Sequence, residues 1–143
     1  MTKAVAGAEG VTMEPSRLAR AHGAFNLLFG LWPLLHYRSF EAASGPKTDH
    51  WLVKTVGGLM TAAGYAQFRA PASPDGRAIA RRIGLGTAAT FIIVDLRYVS
   101  RGRISRIYLL DAVLEMYWLI AWAADLAMAR KLCSAKSVDS PKP

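Results

Sequence analysis

Four apolar runs divide the chain, at residues 19–37, 51–69, 80–99 and 106–128. Turn-rich pieces separate them: AASGPKTD, APASPDGR and SRGR. Gly45-Pro46 and the stretch from Pro71 to Gly76 interrupt helices, and Thr48 or Asp49 is placed to cap the second. No period-two alternation persists, so strands are not expected. At about 1.5 Å per residue each run crosses a hydrocarbon core of about 30 Å, the first two only just. The pattern predicts an all-α fold, an antiparallel four-helix transmembrane bundle. A soluble four-helix bundle is the alternative, because polar residues interrupt every run. Against it, Leu109, Leu110, Val113, Leu114, Met116, Tyr117, Leu119 and Ile120 cover most of the fourth helix. A soluble helix shows a narrower apolar stripe.

The interrupting residues are not scattered. At about 100° per residue, Tyr108, Asp111, Glu115, Trp118, Trp122 and Asp125 fall within an arc of about 100°. In the first run His22, Asn26, Phe29, Pro33 and His36 share a face. In the second, Lys54, Gly58, Thr61, Tyr65 and Phe68 do, and in the third Gly84, Phe91, Asp95 and Tyr98 do so less tightly. Acids in a bilayer helix are costly and face a protein interior or a wet cavity. Four such stripes predict a bundle with a partly polar interior, drawn close by Gly57, Gly58, Gly64, Gly84 and Gly86.

Charge sharpens the membrane reading. The net charge of +8 raises nucleic acid as a partner, but no basic stripe is interleaved with exposed aromatics. The basic residues instead flank the apolar runs, where they meet anionic headgroups, so the expected partner is the lipid bilayer and not nucleic acid. Of 18 lysines and arginines, eleven lie in the two tails and around the 69–82 turn, six lie in the other two turns, and Lys54 lies inside a run. That bias favours both termini cytoplasmic, although the SRGRISR loop runs against it. The expected organisation is a disordered tail over 1–18, a transmembrane domain over 19–130 and a disordered tail over 131–143. The single cysteine, Cys133, excludes an intrachain disulfide.

Antiparallel connectivity sorts the polar groups by depth. His36, Lys54, Asp95, Arg97, Asp111 and Glu115 are expected in one half of the bilayer, with His22, Gln67 and Asp125 in the other. Asp111 and Glu115 are one turn apart. Two carboxylates so close in a low dielectric cannot readily both ionise, which is how a general acid keeps its proton. The candidate catalytic set is therefore Glu115, Asp111, Asp95, His36 and Lys54. The candidate substrate-binding set is Arg97, Tyr98, Trp118, Asn26 and Tyr65.

Each residue also has a plainer reading. Lys54 can snorkel to the headgroups. Asp95 and Asp111 can pair with loop arginines, and Asp125 with Arg130 or Lys131. His22 and Asn26 can serve as interhelical hydrogen-bonders. Glu115, about 12 Å along the helix from Ile107, is the hardest to explain in this way.

No spacing of His with acids matches a zinc or di-iron site, and no phosphate-binding, nucleophile-elbow or dinucleotide motif occurs, so neither a metal nor another cofactor is expected. The stretch FGLWPLLHYRSFEAASGPKTDHWLVKTVGGL and the later RGRISRIYLLDAVLE resemble segments of small bacterial four-helix integral membrane proteins, a likeness that implies a bacterial inner (plasma) membrane location and no activity. The architecture is also similar to that of DoxX-like proteins and of the emopamil-binding-protein type of sterol isomerase. None of their site residues carries over, because that likeness is at the level of fold. The leading expectation is a lipophile-binding or accessory membrane subunit, alone, as a homo-oligomer or in a larger membrane complex. An acid–base enzyme of isomerase or cyclase type acting on a lipophilic substrate is the first alternative. A proton-coupled small-solute transporter component is the second.

Overall fold

The computed structural model describes residues 17–138, with backbone alone for 132–138. Of the expected tails 1–18 and 131–143, residues 1–16 and 139–143 and the Cys133 side chain lie outside the described residues, while Arg17 and Leu18 are already helical. The described chain is all-helical: α1 Arg17–Leu35, α2 Tyr37–Ser44, α3 His50–Phe68, α4 Pro74–Ser100 and α5 Tyr108–Val138.

Most helix ends fall within two residues of the sequence expectation, and three larger differences stand out. First, a short helix, α2, fills the first connection. His36 caps it by accepting the Ser39 N–H on Nδ1 at 3.3 Å, and the Trp32 indole donates to Ser39 Oγ at 2.7 Å. Lys47 closes its other end, its ammonium donating to the carbonyls of Ser44 and Gly45 at 2.8 and 2.6 Å. Second, α4 starts six residues before the expected position 80. Ser73 Oγ accepts the Gly76 N–H at 3.0 Å, Pro74 occupies the first turn, where its missing N–H costs nothing, and Asp75 faces the positive end of the helix dipole. Third, α5 continues past Met128 to Val138, so residues 131–138 are helical and not a disordered tail.

Two antiparallel hairpins make up the bundle. In the first, α1 and α3 meet backbone to backbone. A Cβ on Gly64 would lie 2.5 Å from Leu27 N and 2.8 Å from the Gly23 carbonyl, and one on Gly30 would lie 2.8 Å from the Gly57 carbonyl. Only glycine permits that approach, so Gly23 faces Gly64 and Gly30 faces Gly57. The inward stripe of α3 is therefore Gly57, Thr61, Gly64 and Gln67. The expected stripe is rotated away from this: Lys54 and Tyr65 are exposed, and Gly58 has open space beside it. Close helix approach selects the smallest side chains for the interface and leaves the long cation outside. In the second hairpin α4 packs along α5, with Gly84 beside Trp122 and Asp95 beside Asp111.

The burial pattern is inverted relative to a soluble domain. Among the described residues the buried hydrophobic side chains are four alanines, Ile92 and Trp122. The buried polar ones are His22, Asn26, Ser44, Gln67, Asp95 and Glu115. Large aliphatics face outward, with Leu35 76%, Leu59 67%, Val113 65% and Ile120 63% exposed. An apolar exterior of this extent needs cover by lipid or protein. Two segments, Pro74–Ser100 and Tyr108–Lys131, are long and apolar enough to cross a membrane.

Candidate functional site

A polar cluster fills the centre of the bundle, and every long helix contributes to it. His22 sits in the middle and is fully buried. Its Nδ1 accepts the Trp122 indole N–H at 3.0 Å and faces Gln67 Nε2 at 3.3 Å. An indole N–H can only donate, so Nδ1 carries a lone pair and the ring proton is on Nε2. Nε2 faces Glu115 Oε2 at 3.8 Å, beyond direct hydrogen bonding. The imidazole stacks flat on Trp118, with centroids 4.5 Å apart and the planes 5° from parallel. Gly84 makes this possible, since a Cβ there would meet Trp122 Nε1, Gln67 Nε2 and His22 Nδ1 together.

Amides tie the cluster to α3 and α4. Asn26 Nδ2 donates to Gln67 Oε1 at 3.2 Å and to Thr87 Oγ1 at 3.4 Å, and Gln67 Nε2 donates to the Ala80 carbonyl at 3.2 Å. Below this layer Ala19, Ala80 and Trp122, with Leu18, Ala70 and Leu85 against them, form an apolar floor. Asp125 pairs with Arg77 at 3.7 Å and Arg81 at 3.8 Å, and not with the nearer-in-sequence Arg130 or Lys131.

In the other direction lie the acids. Asp95 and Asp111 are within hydrogen-bonding reach of each other through their carboxyl groups, and Glu115 acts electrostatically on both. Two carboxyls can share a hydrogen bond only when one holds a proton. Among the described residues no salt bridge joins any of the three to a lysine or arginine. Tyr108 hydrogen-bonds Ser44 above them, and the Lys47 ammonium lies over the Tyr108 ring at 5.4 Å. Burial lowers the pKa of Lys47, and Glu41 opposes that shift. Both oxygens of Glu115, Asp95 Oδ2, Asn26 Oδ1 and His22 Nε2 are buried without a hydrogen-bond partner. Buried polar atoms are rarely left so.

The expected site residues divide cleanly. Glu115, Asp111, Asp95, Trp118 and Asn26 come together. His36 is exposed and caps α2, Lys54 and Arg97 are exposed, and Tyr98 and Tyr65 are 42% and 58% exposed on the outer surface. His22 and Gln67, expected in the opposite half from Glu115, meet the cluster instead. His22, Gly84 and Trp122 lie level, and the imidazole bridges the two turns from there to Glu115. The only sequence signal for His22 and Trp122 is their place on the inward stripes. Gln67 carries no such signal, being off the face expected for its helix.

An open apolar groove of about 260 Å³ runs between α3 and α4, lined by Val56, Leu59, Met60, Ala63, Phe91 and Thr87 among others. Through Thr87 it borders the polar centre. No group of three or more His, Cys, Asp or Glu among the described residues is arranged to hold a metal ion. No protein-family model, curated protein or solved structure matches the chain.

Proposed function

We propose that this is a multi-pass membrane protein that binds a lipophilic small molecule at its buried acid–histidine site. The observation that carries this reading is Glu115. It lies inside the bundle with neither oxygen paired, facing a histidine whose tautomer its neighbours hold. An unpaired buried acid is expensive to keep, and in a bilayer helix it marks a functional site by default. The inverted burial supports four crossings by α1, α3, α4 and α5, with lipid covering the aliphatic exterior. The lysine and arginine bias supports an orientation with both termini cytoplasmic, and the resemblance to small bacterial membrane proteins supports an inner-membrane location. The apolar floor under His22 favours a one-ended site over a transport path. The α3/α4 groove offers apolar surface beside Thr87 for the body of such a molecule.

Mass spectrometry of the purified protein tests this. The wild type is expected to carry a saturable lipophile that Glu115→Gln loses while keeping its helix content. Equal lipophile content in the two proteins overturns the proposal. A second reading is acid–base catalysis on that ligand, favoured because Glu115 and the His22 Nε2–H are both proton-exchanging groups and face each other at 3.8 Å. It predicts deuterium incorporation into the bound molecule in D₂O, abolished by Glu115→Gln.

A further inference from the structure

The unpaired atoms around Glu115 are unequal in kind. Four are acceptors: Glu115 Oε1 and Oε2, Asp95 Oδ2 and Asn26 Oδ1. One is a donor, His22 Nε2–H, since Nδ1 is committed to Trp122. Of the cluster's other donors, the Trp122 indole is used on His22, the Asn26 amide on Gln67 and Thr87, and the Gln67 amide on Ala80, while the Trp118 indole N–H makes no hydrogen bond among the described residues, so acceptors still outnumber free donors. A ligand that completes this site must therefore bring hydrogen-bond donors.

Charge gives the same answer. Three carboxyl groups converge, and the nearby cations point elsewhere: Lys54 and Arg97 are exposed, and Lys47 closes α2 from above Tyr108. Apart from the proton that Asp95 and Asp111 can share, Glu115 has no lysine or arginine partner among the described residues, and a ligand cation would supply one. The walls suit a cation too. His22, Phe25 and Trp118 stand ring to ring at 4.5–6.2 Å, and aromatic faces attract ammonium groups. An anionic headgroup would find four acceptors and no free base.

We infer that the Glu115–His22 site takes the protonated amino group of a lipophilic amine. An ammonium group has three N–H donors and no acceptor, which matches the excess of unpaired acceptors. The inference rests on the lipophile-binding reading and specifies its headgroup.

The test compares three probes of one chain length, dodecylamine, dodecanol and dodecanoate, titrated into the full-length protein in zwitterionic nanodiscs. Trp118 and Trp122 line the site, so tryptophan emission reports occupancy. Dodecylamine is expected to bind saturably and at least tenfold more tightly than dodecanol, with dodecanoate weakest. Glu115→Gln, and independently Asp95→Asn, are expected to remove the preference for the amine. Equal affinity for amine and alcohol, or a preference that survives both substitutions, overturns the inference and leaves the lipophile site standing. Failure of all three probes to bind saturably overturns the inference together with the reading beneath it.

Discussion

The Trp122 indole N–H donates to His22 Nδ1 across a hundred residues of sequence, at 3.0 Å, and so places the ring proton on the nitrogen that faces Glu115. Trp122→Phe keeps the aromatic bulk and removes the donor. The expected outcome is a mixture of imidazole tautomers in ¹⁵N spectra of His22, with stability lowered by about 1–2 kcal/mol. An unchanged single tautomer would show that Gln67 alone suffices to hold it.

Gly64 presses on the α1 backbone, so any side chain there must push the first hairpin apart. Gly64→Val is expected to lower stability by about 3 kcal/mol or more, and Gly58→Ala, with open space beside it, to change it little or raise it. Thermal unfolding in detergent measures both. Equal effects would mean that α3 is rotated from its place in the bundle.

Asp125 lies between two arginines on α4. Asp125→Arg is expected to destabilise the α4/α5 hairpin, and adding Arg81→Asp to recover part of the loss. The coupling expected from a double-mutant cycle is about 1 kcal/mol, kept modest because Arg81 and Asp125 are each partly exposed and Arg77 shares the same carboxylate. A coupling of zero would put Asp125 out of reach of Arg81.

His36→Ala removes a cap and no part of the site. It is expected to fray α2, at a loss of about 1 kcal/mol, and to leave the affinity for any lipophile within twofold. Ligand titration beside thermal unfolding separates the two effects. A tenfold loss of affinity would return His36 to the site.

Much of this architecture is written in the spacing of residues along single helices. The α5 face that buries Glu115 and Trp122 follows from its period, because the polar positions there stand out against uninterrupted aliphatics. The α1 pair His22 and Asn26 is legible for the same reason. On α3 the period misleads. Lys54 and Tyr65 are the conspicuous polar residues, yet the interface is set by how near two backbones can come, a property of pairs that no single helix displays. The meeting of His22 with Glu115 is hidden likewise. Helical rise counts depth along the axis, and two long side chains leaning toward each other close a gap of two turns. The Ser73-Pro74 start of α4 carries its own local signal, a cap followed by proline, which its proline-rich setting disguises as a loop.

The glycines of the first hairpin also leave a question of alignment. Gly23 and Gly30 are seven residues apart, as are Gly57 and Gly64, so a slip of one heptad, about 10 Å, still matches Gly30 with Gly64. The two close approaches cannot by themselves exclude that mispaired hairpin. Gln67 can. In the slipped arrangement it would be carried two turns from both Asn26 and His22, and their amide and ring nitrogen would be stranded in an apolar setting. The buried amide thus works as an index mark: glycine lets the helices slide together, and Gln67 says where they stop.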